Sequence, residues 1–282
     1  MPRGIPNSGV RKTRTKKVEE QSSVIEFETD QEIDARLRER FDILSDLVQQ
    51  AVSGEVRALI VSGPPGLGKS YTIEKTLEKN DPNAVNHQIV KGYVKATGLY
   101  KLLWQHKEKG KVLVFDDADT IFFDDTSLNM LKAVCDTTEK RKVSYLAEGY
   151  LIDEETATRL PKNFEFFGTV IFLTNYDFDA MIDKGHKLAP HLQALVSRAH
   201  YVDLAMKTSR DYLIRIKQVV SAGLLDKFGL DKSGQTDVME FIDTNHKKLR
   251  ELSLRIALKV AAIRKSGSTR WKSTAKVTCC RN

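Results

Sequence analysis

An α/β fold built on a five-stranded parallel sheet, followed by a small all-α unit, is what this sequence predicts, and three observations predict it. Apolar runs without polar alternation, among them "RALIVSG", "KVLVF" and "GTVIFLTN", read as strands buried on both faces. Segments with helical spacing, such as "TGLYKLLWQHK" and "TSLNMLKAVCD", stand between them, which is the pattern of parallel strands joined through helices. From about Thr208 onward strand signals stop and helical ones continue, in "SRDYLIRIKQVVSAGLL", "DVMEFIDTN" and "KLRELSLRIALKVAAI".

Taken in order, the first element is a helix, because Ile33, Leu37, Phe41, Leu44, Val48 and Val52 fall on one face of "QEIDARLRERFDILSDLVQQAV". "RALIVSG" then runs through a glycine-rich turn into "KSYTIEKTLEK", giving strand, turn and helix. "NHQIV", "KVLVF", "GTVIFLTN" and the short "HYVDL" complete the five strands. An insert near 141–166, "KRKVSYLAEGYLIDEETATRLPKNFEF", alternates at "KVSYL" and "FEF" and reads as a β-hairpin with a polar, Glu-rich tip. The chain divides into a basic tail over 1–24, an α/β domain over 25–206, a helical domain over 207–264 and a basic tail over 265–282.

With 282 residues, 29% charged and 41% hydrophobic, the composition is that of a soluble globular protein large enough for a full α/β core. No apolar run approaches the roughly 18 residues that span a bilayer, and "MPRGIPNSGVRKTRTKK" lacks the apolar stretch of a secretion signal. A cytoplasmic protein is expected, working in the host cytoplasm if the source is viral. Cys135, Cys279 and Cys280 form neither a disulfide framework nor a C-x-x-C pair, and His186 and His191 lack the H-E-x-x-H spacing, so no metal site of protein ligands alone is expected. The net charge of +7 is uneven: residues 1–20 hold six Lys/Arg against two Glu, and residues 264–282 hold six Lys/Arg and no acid. The ends therefore carry +10 and the middle about −3. Such ends either contact a polyanion, nucleic acid foremost, or serve only as solvated tails.

The chemistry begins at "VSGPPGLGKS". Gly63, Pro64, Pro65, Gly66, Leu67, Gly68, Lys69 and Ser70 fit G-x-x-x-x-G-K-[ST]. Glycines let backbone N–H groups curl toward phosphate oxygens, while prolines restrain the rest of the loop. The helix that follows, through Tyr71, adds its positive end; Lys69 can reach the β- and γ-phosphates and the Ser70 hydroxyl can ligate Mg2+. "VLVFDDAD" ends a strand on acids, where open α/β sheets bind ligands. Asp116 suits Mg2+ and Asp117 suits an attacking water. "VIFLTN" ends another strand on Asn175, whose amide could hold that water or simply cap a turn.

In this order the residues resemble the AAA+ ATPase family of P-loop NTPases, over about Ile25 to Arg264. The resemblance implies a Walker A loop at Gly63 to Ser70, a Walker B strand at Val112 to Asp117 and sensor 1 at Asn175. It further implies an arginine finger at Arg198, in "ALVSRAHYVDL", serving a neighbouring subunit, and sensor 2 at Arg255, in "ELSLRIALKV", on a helical lid. ATP and Mg2+ as cofactors, hydrolysis to ADP and phosphate, and a homo-oligomeric ring, by expectation a hexamer, follow from it. Asp117 departs from the family's usual glutamate and is one methylene shorter, which implies slow hydrolysis or use of ATP as a switch. The insert also looks similar to that of small ATPases of tailed bacteriophages.

In ring-forming members a loop at the place of "KGYVKATG" grips substrate; Tyr93 and Val94 either do this or pack beneath the next helix. Arg255 is read on the border of a helical stripe of Leu249, Leu252, Ile256, Val260 and Ile263. Three functions remain open: an ATPase that remodels or moves on nucleic acid, an ATP-switched loader recruiting a partner protein, and a ring unfoldase. No membrane partner is expected.

Overall fold

In the computed structural model, residues 28–153 and 156–281 are described. The basic tail over 1–24 and the Glu154–Glu155 tip of the insert lie outside them.

The α/β body opens with helix α1 (Asp30–Ser53), started by a capping box in which Thr29 and Glu32 satisfy each other's backbone N–H groups. Its buried face is Ile33, Leu37, Phe41, Leu44, Val48 and Ala51. Strands β1 (Ala58–Ser62), β2 (His87–Lys91), β3 (Val112–Asp116), β4 (Lys142–Ser144), β5 (Asn163–Glu165), β6 (Thr169–Thr174) and β7 (His200–Asp203) follow in chain order. Five of them form the main sheet, in the spatial order β2-β3-β6-β1-β7, and every pairing within it is parallel. β1, β3 and β6 are buried at every position, which is why they read as continuous apolar runs. Helices α2 (Lys69–Asn80), α3 (Ala96–Gln105), α4 (Asp125–Val134), α5 (Phe178–Asp183) and α6 (Ala189–Val196) supply the connections.

Between α4 and β6 the insert pairs β4 antiparallel with β5, and Ile152 bridges Arg159 further out. Tyr100 packs beneath it, within 5.1 Å of Phe164 ring to ring.

The helical unit contains α7 (Ser209–Ser221), α8 (Lys232–Asn245), α9 (Leu254–Lys265) and α10 (Trp271–Cys279). Three features differ from the sequence reading. Residues 265–282 are not a tail throughout: α10 buries Trp271, Ala275 and Cys279 in the helical core. A stripe at every fourth position is enough to dock a nine-residue helix, despite the cations around it. Helix α9 begins at Leu254, so Leu249 and Leu252 precede it, and Leu249 instead bridges Cys280. Val94 is 8% exposed and belongs to the core under α3, whereas Tyr93 is 70% exposed. An alternation of side-chain direction therefore separates the two residues that the loop reading put together.

Candidate functional site

Because the strands of the main sheet are parallel, their C-terminal ends share one edge. β6 lies between β1 and β3, so the turn after β6 falls between the turns after the other two. Lys69 follows the loop after β1, Asp116 ends β3 with Asp117 just beyond it, and Asn175 follows β6. The strand order alone assembles these four side chains.

The loop adopts left-handed backbone at Gly66, φ 77°, and at Gly68, φ 93°, where a Cβ costs energy. Both glycines also meet the helical unit closely. A Cβ on Gly66 would lie 2.5 Å from Ser253 Cβ, and one on Gly68 2.9 Å from Leu254 Cδ1.

Lys69 is buried, and its Nζ donates to the Gly63 carbonyl, to the Pro64 carbonyl at 3.1 Å and to Asn175 Oδ1 at 2.9 Å. Burial lowers its pKa to about 8, against the opposing pull of Asp117 and Asp116. The Asn175 amide passes the network on, donating to Asp117 Oδ1 at 2.8 Å. Asp117 sits at φ 54°, an uncommon conformation for a residue with a side chain. Ser70 Oγ donates to Asp116 Oδ1 at 2.9 Å. Lys91 lies 3.3 Å from the other Asp116 oxygen and 2.8 Å from Glu74.

A cavity over this network is lined by Pro65, Gly66, Gly68, Lys69, Ser70, Tyr71, Asp116, Asp117, Asn175 and Arg255. Gly63, Pro64 and Leu67 do not line it. Gly63 and Pro64 hold Lys69 through their carbonyls, and Leu67 turns its side chain into the core. Arg255, the second residue of α9, reaches the cavity from the helical side. Arg198 does not line it; its guanidinium donates to the Ala194 carbonyl at 2.7 Å and lies 3.6 Å from Asp136.

Four contributions had no sequence signal. Leu224, Leu254 and Leu258 add an apolar wall beside Tyr71, and Lys227 completes the lining with a further cation. Asp119, half-buried near Asn175, has one carboxylate oxygen without a partner, and burial raises its pKa, partly offset by a Thr174 hydrogen bond. Arg215 of α7 is buried, donates from Nε to the Leu67 carbonyl at 3.3 Å, and stacks 3.2 Å over the Phe41 ring. Burial lowers its pKa to about 10. Finally, the Leu254 N–H donates to the Gly66 carbonyl at 2.8 Å, so α9 is bonded to the loop backbone.

Sheet, loop and acidic strand end define the class: an α/β protein with a five-stranded parallel sheet, a G-x-x-x-x-G-K-S loop leading into α2, and a small all-α unit after the sheet. No family model matches the chain. It is 36% identical over 250 residues to the uncharacterized 36.7 kDa protein of the nrdC-mobD intergenic region of Enterobacteria phage T4, across 88% of this chain and 76% of that protein. The chain belongs to the family of that phage protein. Among solved structures it is similar to a RuvB mutant of Thermogota maritima, at 14% identity and TM-score 0.48, covering 86% of this chain and 68% of that one. It is also similar to NtrX of Brucella abortus in complex with ATP, at 14% identity and TM-score 0.41, and in complex with ADP, at 13% and 0.40. Both comparisons cover 86% of this chain and about half, 48%, of NtrX. Among the described residues no helix is long and apolar enough to cross a membrane.

Proposed function

We propose that the protein binds ATP with Mg2+ and hydrolyses it as a homo-oligomer, coupling turnover to remodelling of, or movement on, nucleic acid. The observation that carries the nucleotide reading is the convergence of Lys69, Ser70, Asp116, Asp117 and Asn175 beneath one cavity. The Gly63–Ser70 loop and the start of α2 present N–H groups and a cation to a triphosphate. Tyr71 and the leucine wall offer apolar surface to the base, and Arg255 offers a cation from the lid.

The Ser70 hydroxyl and Asp116 carboxylate, 2.9 Å apart, are hard oxygen donors of the kind Mg2+ takes alongside phosphate oxygens. When bound, the ion neutralises charge between the β- and γ-phosphates. Asp117 accepts a hydrogen bond from the attacking water and Asn175 orients both partners, since its amide already joins Asp117 to Lys69. Arg198 serves the site of a neighbouring protomer, where its charge stabilises the transferring phosphoryl group. The phage origin of the relative supports work in a host cytoplasm.

Steady-state ATP hydrolysis with and without single-stranded DNA, duplex DNA and RNA, at two salt concentrations, tests the reading. Turnover that needs Mg2+ and rises with one of these polymers is expected. Nucleotide-driven assembly with no measurable turnover would favour the loader reading, which the short Asp117 side chain supports. A protein that stays monomeric with ATP would remove the role given to Arg198.

A further inference from the structure

The last nineteen residues hold six cations and no acid, and the fold turns a part of them into a surface. With Trp271, Ala275 and Cys279 inward, Lys272 and Lys276 stand one turn apart on exposed positions of α10. Beyond the helix the chain runs antiparallel to the segment before α9. The Arg250 N–H donates to the Cys279 carbonyl at 2.8 Å and the Arg281 N–H to the Lys248 carbonyl at 2.7 Å. Leu249 and Cys280, paired across this ribbon, are 6% and 7% exposed. Side chains alternate along extended backbone, so Lys248, Arg250 and Arg281 lie on the outer face, and all three are exposed.

Three of the acids nearest in sequence are already engaged, and the fourth, Glu240, is exposed on α8. Asp243 pairs with Lys217 at 3.1 Å, Glu251 with Lys259 at 3.4 Å and Asp237 with Arg264 at 2.8 Å. Among the described residues, Lys248, Arg250, Lys272, Lys276 and Arg281 form no ion pair with a carboxylate. Two chain segments thus hold unneutralised cations at fixed positions, a self-repelling arrangement that a polyanion relieves.

We propose that this face of the helical unit binds the phosphate backbone of nucleic acid. The proposal rests on the nucleic-acid part of the function given above and assigns it a site. Trp271 is 8% exposed and turned inward, so no aromatic platform for stacked bases is presented here; contacts to phosphate alone carry no sequence information, and binding is independent of sequence. A membrane surface fits less well, because docking there needs an apolar face and Val277 is the large apolar side chain exposed on α10. The face is also linked to the nucleotide cavity: Arg250 stands three residues before Ser253, and the next N–H, that of Leu254, bonds the Gly66 carbonyl.

The test is a full-length variant with Lys248→Gln, Arg250→Gln, Lys272→Gln and Lys276→Gln, assayed by fluorescence anisotropy on mixed-sequence single-stranded and duplex DNA across a salt series. Wild-type binding that weakens with salt is expected. The variant should bind at least tenfold less tightly at low salt, with the slope of log K against log salt shallower by about 0.7–0.9 for each phosphate no longer neutralised. Its basal ATP turnover should be unchanged, and its melting temperature should not fall. A companion with Lys248→Arg, Lys272→Arg and Lys276→Arg should keep full binding, separating charge from fold. Equal affinity and slope in wild type and Gln variant would overturn the assignment of the face while leaving nucleic-acid coupling intact. A wild type that hydrolyses ATP but binds neither DNA, nor RNA in the same assay, would overturn both. So would co-sedimentation with phosphatidylserine vesicles and no oligonucleotide binding.

Discussion

Lys69 and Asn175 meet at 2.9 Å although 106 positions separate them. The contact follows from topology: β6 lies between β1 and β3, so the residue after β6 is flanked by the glycine-rich loop on one side and the acids after β3 on the other. Asn175 then joins the lysine to Asp117, and one amide sets the spacing between the cation and the carboxylate.

Asp117→Asn should keep ATP affinity within about threefold and cut steady-state turnover by at least 100-fold, within the range removal of a general base costs. Nucleotide binding by fluorescence and turnover by phosphate release separate the two effects. Equal turnover would remove Asp117 from the chemistry.

Lys69→Ala should weaken ATP binding by at least tenfold, because a charge-assisted bond to phosphate contributes on the order of 1.5–3 kcal/mol. Calorimetric titration with ATP reads this directly.

Gly66→Ala strains a left-handed residue and drives a Cβ to 2.5 Å from Ser253 Cβ. Loss of ATP affinity and a lower melting temperature are expected. Adding Ser253→Gly in the same chain removes the collision but not the backbone strain, so recovery should be partial. A double variant no better than the single would show that the collision does not matter.

Arg215→Ala leaves the Leu67 carbonyl without its partner and strips the cation from the Phe41 face. A loss of about 2–3 kcal/mol in stability is expected, read by chemical denaturation. Arg215→Lys should recover little of it, because a point charge cannot stack on Phe41 and reach Leu67 at once.

Asp211 gives the pH dependence. Burial pushes its pKa up, but bonds from Thr208, Arg36 and the Lys207 N–H outweigh burial and hold it below the ordinary 3.8. A carboxylate lowered on folding stabilises the protein above its unfolded value and loses that contribution as pH falls through the folded one. Stability should therefore decline with acid from about pH 4 downward, and Asp211→Asn should flatten that decline while costing stability at pH 7. Melting curves between pH 3 and 7 check both.

Much of the core site was legible because its signals are local. Continuous apolar runs identified β1, β3 and β6, and the glycines with Lys69 and Ser70 could be read as one loop. The helical side was harder. Leu249 and Leu252 continue the spacing of α9 backward, and only the chain's turn at Ser253, with Leu249 drawn into the ribbon beside Cys280, stops the helix at Leu254. The inward stripe of α10 is three residues among cations, too short to outweigh composition. Arg215 and Asp211 carry no pattern at all, since buried charges depend on partners far away in sequence.

The clasp of Leu254 and Arg215 on successive carbonyls of the Gly63–Ser70 loop, at Gly66 and Leu67, has a mechanical consequence. A rigid rotation of the helical unit cannot leave the loop undisturbed, so the shape of the loop and the angle of the helical unit form one lever. Whatever pushes on the outer surface of that unit gains a handle on the shape of the cavity without entering it.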